Sequence, residues 1–421
     1  MKSIASLLSI IALGAGLLSC SGGGGGGGGG SGVTFAITTT SAPFGVVGNA
    51  YSTTLVTTGG TGPLIWTLFG GVLPNGLSLN GATGVVSGTP TAAGNFTATF
   101  TVTDSKGQTA TGSVSFVVHP RTDRVSVDTN GNSVAGATNT EPSISRTAGR
   151  FIAFTSSGST LVAGVGGQQI YVHDRQTGQP SLASKSSLGS AGISGVSSAA
   201  SVSADGRFIV FASTATNLVP GVFGQQIYLH DTQTSATFPN GQTTLVSKNN
   251  NGVASDGSIK TNPAISADGR FITYEASAAT NLVSGVSGWQ IYLHDTQTSA
   301  TFLNGQTTLV SKNNSGTAGN GLSKTPTISN DGRFIAFASA SSNLVTGISG
   351  TQIYRHDTQT SVAFPNGQTV PVSIDESGVA GVGVSTAPVI IDDGSVVAFV
   401  STAPLVPGAN AMSDIYVRAL P

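Results

Sequence analysis

The chain has 421 residues but one cysteine, two methionines and two tryptophans. A single thiol excludes any disulfide within the chain, so its stability must come from packed, hydrogen-bonded structure. Charged residues make up only 8% and the formal net charge is −1, which excludes the clustered lysines and arginines of a nucleic-acid surface. The longest apolar stretch, residues 4–18, is too short for a permanent membrane helix. No nucleophile elbow, phosphate loop, metal motif or dinucleotide fingerprint is present. What is abundant is glycine, at 59 residues, with Ser, Thr, Asn and Val. Glycine and β-branched residues in such excess disfavour helices and favour short strands joined by turns, so an all-β protein is expected.

Lys2 followed by the apolar stretch has the pattern of a signal peptide, and Leu17-Leu18-Ser19-Cys20 resembles the lipobox of bacterial lipoproteins. The resemblance implies removal of residues 1–19 and a lipid anchor on Cys20, the membrane being reached through that lipid. Ser21 after the cysteine, by the enteric sorting pattern, implies an outer-membrane lipoprotein of the cell envelope, on its periplasmic or surface face. Residues 20–32 then form the lipidated cysteine and a tether that includes nine consecutive glycines, Gly22 to Gly30. Such a linker reaches about 20 Å.

Residues 33–119 show short alternating runs broken by Gly, Pro and Asn, the pattern of a β-sandwich. Gly48-Asn49-Ala50-Tyr51, Trp66, Leu73-Pro74-Asn75-Gly76-Leu77 and Gly84-Val85-Val86-Ser87-Gly88-Thr89-Pro90 resemble the bacterial putative-Ig (cadherin-like) module. The resemblance implies an Ig-like spacer or adhesive unit with no catalytic group. Trp66 is expected in its core, and Asp104, the only acid of the segment, does not make a calcium cluster.

From residue 120 to 421 one unit recurs five times. Val202-Ser203-Ala204-Asp205-Gly206-Arg207-Phe208 has counterparts beginning at Ile144, Ile265, Ile328 and Ile390, and each copy continues with an Ile-Tyr strand such as Ile227-Tyr228-Leu229-His230-Asp231. Four strands in a period of about sixty residues indicate a β-propeller. The repeat resembles the TolB-like, WD40-like propeller repeat (PD40). Five blades are expected, with six as the alternative because TolB-like propellers commonly have six. The fifth unit stops after its third strand, and Arg124-Val125-Ser126-Val127-Asp128 resembles an orphan fourth strand. Pairing of the two termini in one blade would remove a free sheet edge.

Four of the five histidines stand in His-Asp pairs, His173-Asp174, His230-Asp231, His294-Asp295 and His356-Asp357. Each pair sits at one place in a different blade, so they cannot converge as metal ligands do. A structural role follows: Asp caps the turn before the last strand and His packs locally. The Asp-Gly pairs at Asp205, Asp268, Asp331 and Asp393 suit tight hairpins. Asp414 alone keeps an acid in the loop that resembles a calcium loop in relatives of this repeat. No metal and no cofactor are expected.

A ligand face is expected where residues 214–225, 278–289 and 249–262 form loops that vary between copies. Its candidate residues are Phe223 and Trp289, which stand as counterparts in that face, and no catalytic residue is assigned. Lys260, Lys324, Asp256, Asp375 and Glu376 are too dispersed to form a pair. The expected function is a monomeric, non-enzymatic binding or scaffold module for an envelope protein or glycan. A propeller lyase or glycosidase is the alternative and needs unique carboxylates facing the channel; a structural adhesion module is the third reading.

Overall fold

The computed structural model describes residues 34–146, 149–259, 262–277, 279–409 and 412–420. The signal peptide, Cys20 and the glycine tether lie outside the described residues, as does Lys260. The chain separates into two compact units at Asp123/Arg124, and no helix occurs among the described residues.

The first unit is a sandwich. One sheet orders Gly45–Val46, Thr109–His119, Gly94–Thr103 and Ile65–Gly71, and the other orders Tyr51–Thr54, Val85–Gly88 and Leu77–Asn80. Alternation along Gly94–Thr103 sends Ala98, Phe100 and Val102 inward to meet Val86, Val114, Phe116 and Trp66. Trp66 is a core filler, and a methyl on Gly84 would run into its indole. Asp104 takes the N–H groups of Thr61, Lys106 and Gln108 at 2.8–3.0 Å, which fixes a turn.

The second unit is a five-bladed β-propeller of successive antiparallel sheets. The blades are Asn139–Ile144, Phe151–Ser156, Gln169–Asp174 and Gln179–Leu182; then Ser197–Val202, Phe208–Ser213, Gln226–Asp231 and Gln242–Leu245. In the third, two short strands, Ser258–Ile259 and Ala264–Ile265, pair with Phe271–Ser277, followed by Trp289–Asp295 and Gln306–Leu309. The fourth is Ser323–Ile328, Phe334–Ser339, Gln352–Asp357 and Gln368–Pro371, and the fifth Ser385–Ile390, Val396–Ser401 and Asp414–Ala419. The first strands of successive blades contact one another and are therefore the inner ones. Every blade stacks an aromatic of its second strand on a tyrosine of its third, from Phe154–Tyr171 to Phe399–Tyr416, at 5.8–6.0 Å between centroids.

The expected pairing of the termini is not seen. Among the described residues no strand pairs with the outer edge of Asp414–Ala419. Residues 124–128 lie instead beside the first blade, where Val125 and Val134 pack near Phe154 and Tyr171 and Gln179 Nε2 donates to Thr129 O. The repeat explains this placement. Val127 bridges Ser133 as Lys185 bridges Ala191, Lys248 bridges Ala254 and Lys312 bridges Ala318, so this segment corresponds to the passage that follows an outer strand. Ile415 and Val417, 78% and 68% exposed, consequently stand open, while their counterparts Ile227 and Leu229 are buried against the third blade.

Candidate functional site

The His-Asp pairs are fasteners of the propeller. In the first four blades the arginine that follows the Asp-Gly (or, in the first, Ala-Gly) turn grips the aspartate bidentately. Arg150–Asp174, Arg207–Asp231, Arg270–Asp295 and Arg333–Asp357 close to 2.6–2.7 Å. The same aspartate caps its turn by accepting the N–H two residues on, Gln176, Gln233, Gln297 or Gln359. Each arginine also lies over the phenylalanine next to it, with Cζ 4.5–4.7 Å from the ring centroid. The phenylalanine in turn fills the place where a side chain would be on the turn glycine of the following blade: Phe151 under Gly206, Phe208 under Gly269, Phe271 under Gly332 and Phe334 under Gly394. These glycines are required twice, for a φ of 75–78° and for contact with the ring.

The histidines reach backwards. His230, His294 and His356 hold the hydroxyls of Thr243, Thr307 and Thr369 through Nδ1 at 2.8–2.9 Å, and those hydroxyls bond the carbonyls of Lys185, Lys248 and Lys312 in the preceding blade. A carbonyl only accepts, so the threonine proton goes to it and the histidine must carry its proton on Nδ1. Burial, reinforced by the neighbouring lysine and opposed by the adjacent aspartate, lowers the imidazoles to about 4 for His230 and about 3 for His294 and His356. They are neutral structural groups. His173 faces Pro180 rather than a threonine, so the relay begins with the second blade.

The Asp-Gly turns are likewise self-contained: Asp205, Asp268 and Asp331 accept from Ser203, Ser266 and Ser329 and from the arginine N–H. At the opposite ends of the strands, Gln226, Gln290 and Gln352 donate to Ser255, Gly319 and Gly381 carbonyls in the next inter-blade loops. Asp414 stands in the register position of these glutamines, opposite Ser401 as Gln352 is opposite Ser339. Asp256 orders Thr280 and Asn281, and Asp375 caps residues 377–379. Among the described residues no cluster of three or more His, Cys, Asp or Glu is placed to hold a metal.

The two candidate aromatics differ in position and surroundings. Phe223 is 69% exposed and lies in the turn before Gln226–Asp231. Trp289 opens the strand Trp289–Asp295 and is half-buried, with Lys324 Nζ 4.8 Å from its ring centroid. By register, the counterpart of Trp289 is Gln225 and that of Phe223 is Ser287, so they are not counterparts. Both remain at the loop face, on the ends of the strands away from the Asp-Gly turns.

Two acids that sequence reading passed over approach the inner strands. The inner strands of the first, second, fourth and fifth blades carry a bulge, with a non-glycine residue in the left-handed region: Glu141, Ala199, Thr325 and Ala387, at φ 50–53°. Glu141 Oε2 accepts the N–H of Ala199 at 2.7 Å and the hydroxyl of Thr155. Glu275 Oε2, from the buried face of the third blade, accepts the N–H of Thr325 at 3.0 Å. That neither acid is matched in the other copies was the only available signal, and it does not reveal the bulge. Between the fourth and fifth blades the corresponding space is a pocket of about 210 Å³ lined by Leu322, Lys324, Thr325, Ala338, Thr351 and Thr386.

Comparison with known proteins bears on both units. Residues 33–119 match the Putative Ig domain. No curated protein sequence matches the chain. Among solved structures, an oligogalacturonate lyase in complex with manganese is 12% identical, with a TM-score of 0.42 over 67% of this chain and 64% of its own. The Pyrococcus horikoshii acylaminoacyl peptidase is 11% identical, with a TM-score of 0.36 over 68% and 38%. The Pseudomonas aeruginosa periplasmic gluconolactonase is 13% identical, with a TM-score of 0.33 over 76% and 78%. The chain spans less than two thirds of the length of the oligogalacturonate lyase and of a Bacteroides fragilis α-galactosidase, of which it covers 16%. At these identities and scores the likenesses carry no argument about activity.

Proposed function

We propose that this chain is an envelope lipoprotein, anchored through Cys20, whose propeller is a non-enzymatic binding or scaffold module for a protein or glycan. The observation that carries the reading is the employment of the repeated histidines and aspartates. The His230, His294 and His356 rings are buried, neutral and bonded to threonine, and the aspartates are locked to arginines, so the groups best suited to acid–base chemistry are taken up in bonds within a blade and to the blade before it. Glu141 and Glu275, acids without counterparts in the other copies, each take a backbone N–H of the next blade. The variable loop face with Phe223 and Trp289 is then the surface offered to a partner.

The test is affinity capture from envelope extract with the full chain, set against a variant carrying Phe223→Ala and Trp289→Ala. A partner captured by the first and lost by the second supports the loop face; capture by both equally overturns it. Incorporation of labelled palmitate, abolished by Cys20→Ser, tests the anchor.

A further inference from the structure

Between the third and fourth blades, at the end of the strands where the Asp-Gly turns lie, the start of Phe271–Ser277, the end of Trp289–Asp295 and the start of Gln306–Leu309 border a pocket of about 320 Å³. It lies at the opposite end of the strands from Phe223 and Trp289. Gln306, Thr308, Lys312, Thr358, Thr360 and Asn366 stand around it. None of these six side chains is spent on a hydrogen bond or ion pair among the described residues. Lys312 is half-buried, and burial lowers its ammonium below the ordinary lysine value. An ammonium drawn partly out of water without a counter-charge gains from any ligand oxygen brought to it.

His356 lines the same pocket and is 2% exposed. Its Nδ1 proton goes to Thr369 Oγ1, whose own proton goes to the Lys312 carbonyl. In the neutral ring Nε2 is therefore a lone-pair acceptor, and it has no partner among the described residues. Asp295 also borders the pocket, with its charge balanced by the bidentate grip of Arg270. A buried acceptor, an unpaired ammonium, two amides and three hydroxyls thus border one space. The corresponding groove between the first and second blades, about 370 Å³, is bordered by Phe151, Val172, Asp174, Gln179 and Ser181, but neither Lys185 nor His230 lines it.

We propose that the groove between the third and fourth blades binds the ring of a neutral sugar, one hydroxyl accepting from Lys312 and another donating to His356 Nε2. The mixture of unspent donors and acceptors selects hydroxyl groups, because a hydroxyl both donates and accepts. The ligand is neutral because the pocket already holds a carboxylate, Asp295, beside the ammonium. Leu293 and Pro365 give an apolar side against which the C–H face of a ring can lie. The volume is at the low end of ligand pockets, which run from roughly 300 to 1,000 Å³, and suits one ring. This site is separate from the loop face and goes beyond the binding reading made there.

The test is calorimetric or saturation-transfer NMR titration of the full chain with the methyl pyranosides of D-glucose, D-galactose and D-mannose, beside D-glucuronate as an anionic ring and tetrahydropyran-2-methanol as a ring with one hydroxyl. At least one methyl pyranoside binds, glucuronate binds no tighter, and the single-hydroxyl ring binds at least tenfold more weakly. Thr308→Trp, which fills the pocket, abolishes binding, and Lys312→Met, which keeps the stem and removes the ammonium, weakens it at least fivefold. Ser181→Trp, the same change in the groove between the first and second blades, leaves it unchanged. Thermal melting reports that each variant is folded. Absence of binding by all three methyl pyranosides, tighter binding of glucuronate, equal binding of the single-hydroxyl ring, or unchanged binding in folded Thr308→Trp and Lys312→Met overturns the proposal. The pocket and the loop face lie at opposite ends of the strands, so failure here leaves partner capture through Phe223 and Trp289 standing.

Discussion

The second to fourth blades and the fifth are built from one repeat, yet the fifth departs from it in a directed way. Toward the fourth blade it keeps its contacts: Gly394 still covers Phe334, Arg355 reaches across to the Gly394 carbonyl at 3.0 Å, and Arg418 donates to Ile374 O at 2.7 Å. Arg418 stands where the histidine stands in other blades, and it reaches the carbonyl of the preceding blade directly. On its other side the fifth blade carries different residues at the matching positions. Val396 replaces the phenylalanine, Ser395 the arginine and Ala419 the aspartate, while Ile415 and Val417 face outward uncovered. Its internal aromatic stack and the Ser385–Ser401 hydroxyl pair remain. The lesson is that part of the repeat's consensus serves the contact with the preceding blade, which the fifth blade keeps, and part serves contacts within a blade and onward, where the fifth blade carries other residues.

Acid should act on this difference most strongly. The folded-state pKa values of His230, His294 and His356 lie below the unfolded value of about 6.5, so the unfolded chain binds more protons once the pH falls below it. The stabilisation is fully present above pH 6.5 and is lost as the pH falls toward 4 and then 3, at up to about 1.4 kcal/mol per unit for each histidine. Unfolding midpoints in denaturant, measured from pH 7.5 to 4, check this; a flat profile would contradict the buried neutral relays.

Next comes burial of the onward face. Ile227→Asp places a charge between the second and third blades and should cost about 4 kcal/mol or more, whereas Ile415→Asp should cost under about 0.5 kcal/mol. Equal costs would mean that Ile415 is covered in solution. A smaller gap is expected for glycine. Gly269→Ala meets the Phe208 ring as well as backbone strain and should lose about 3 kcal/mol, while Gly408→Ala has open space and should lose about 1 kcal/mol. The ion pairs contribute little: Arg270→Ala should cost about 1 kcal/mol, since its side chain is exposed enough for water to screen it. Chemical denaturation of each variant beside the parent protein gives all of these differences.

Much of the fold is legible because its signals are local. Asp205-Gly206 makes a hairpin from two adjacent residues, and the alternation around Trp66 or along Gly94–Thr103 needs no distant partner. The His-Asp pairs could be assigned structural roles from their spacing alone, because repeated residues in separate blades do not converge. The grip of Arg207 on Asp231, twenty-four positions apart, was not legible, and neither was the threonine that receives His230. The same holds for the candidate site. Phe223 and Trp289 stood out as unusual residues in variable loops, but Lys312 and His356 meet at one pocket only across a seam.

By itself the sequence determined an all-β chain, an Ig-like sandwich and a repeat of five blades, because alternation, turn chemistry and periodicity act over a few residues. Only the tertiary structure decided where residues 124–128 lie, which face of the fifth blade is open, and which seam brings Lys312 and His356 to one pocket. Those outcomes depend on which blade stands next to which, and a residue's neighbour across a seam lies roughly sixty positions away in the chain.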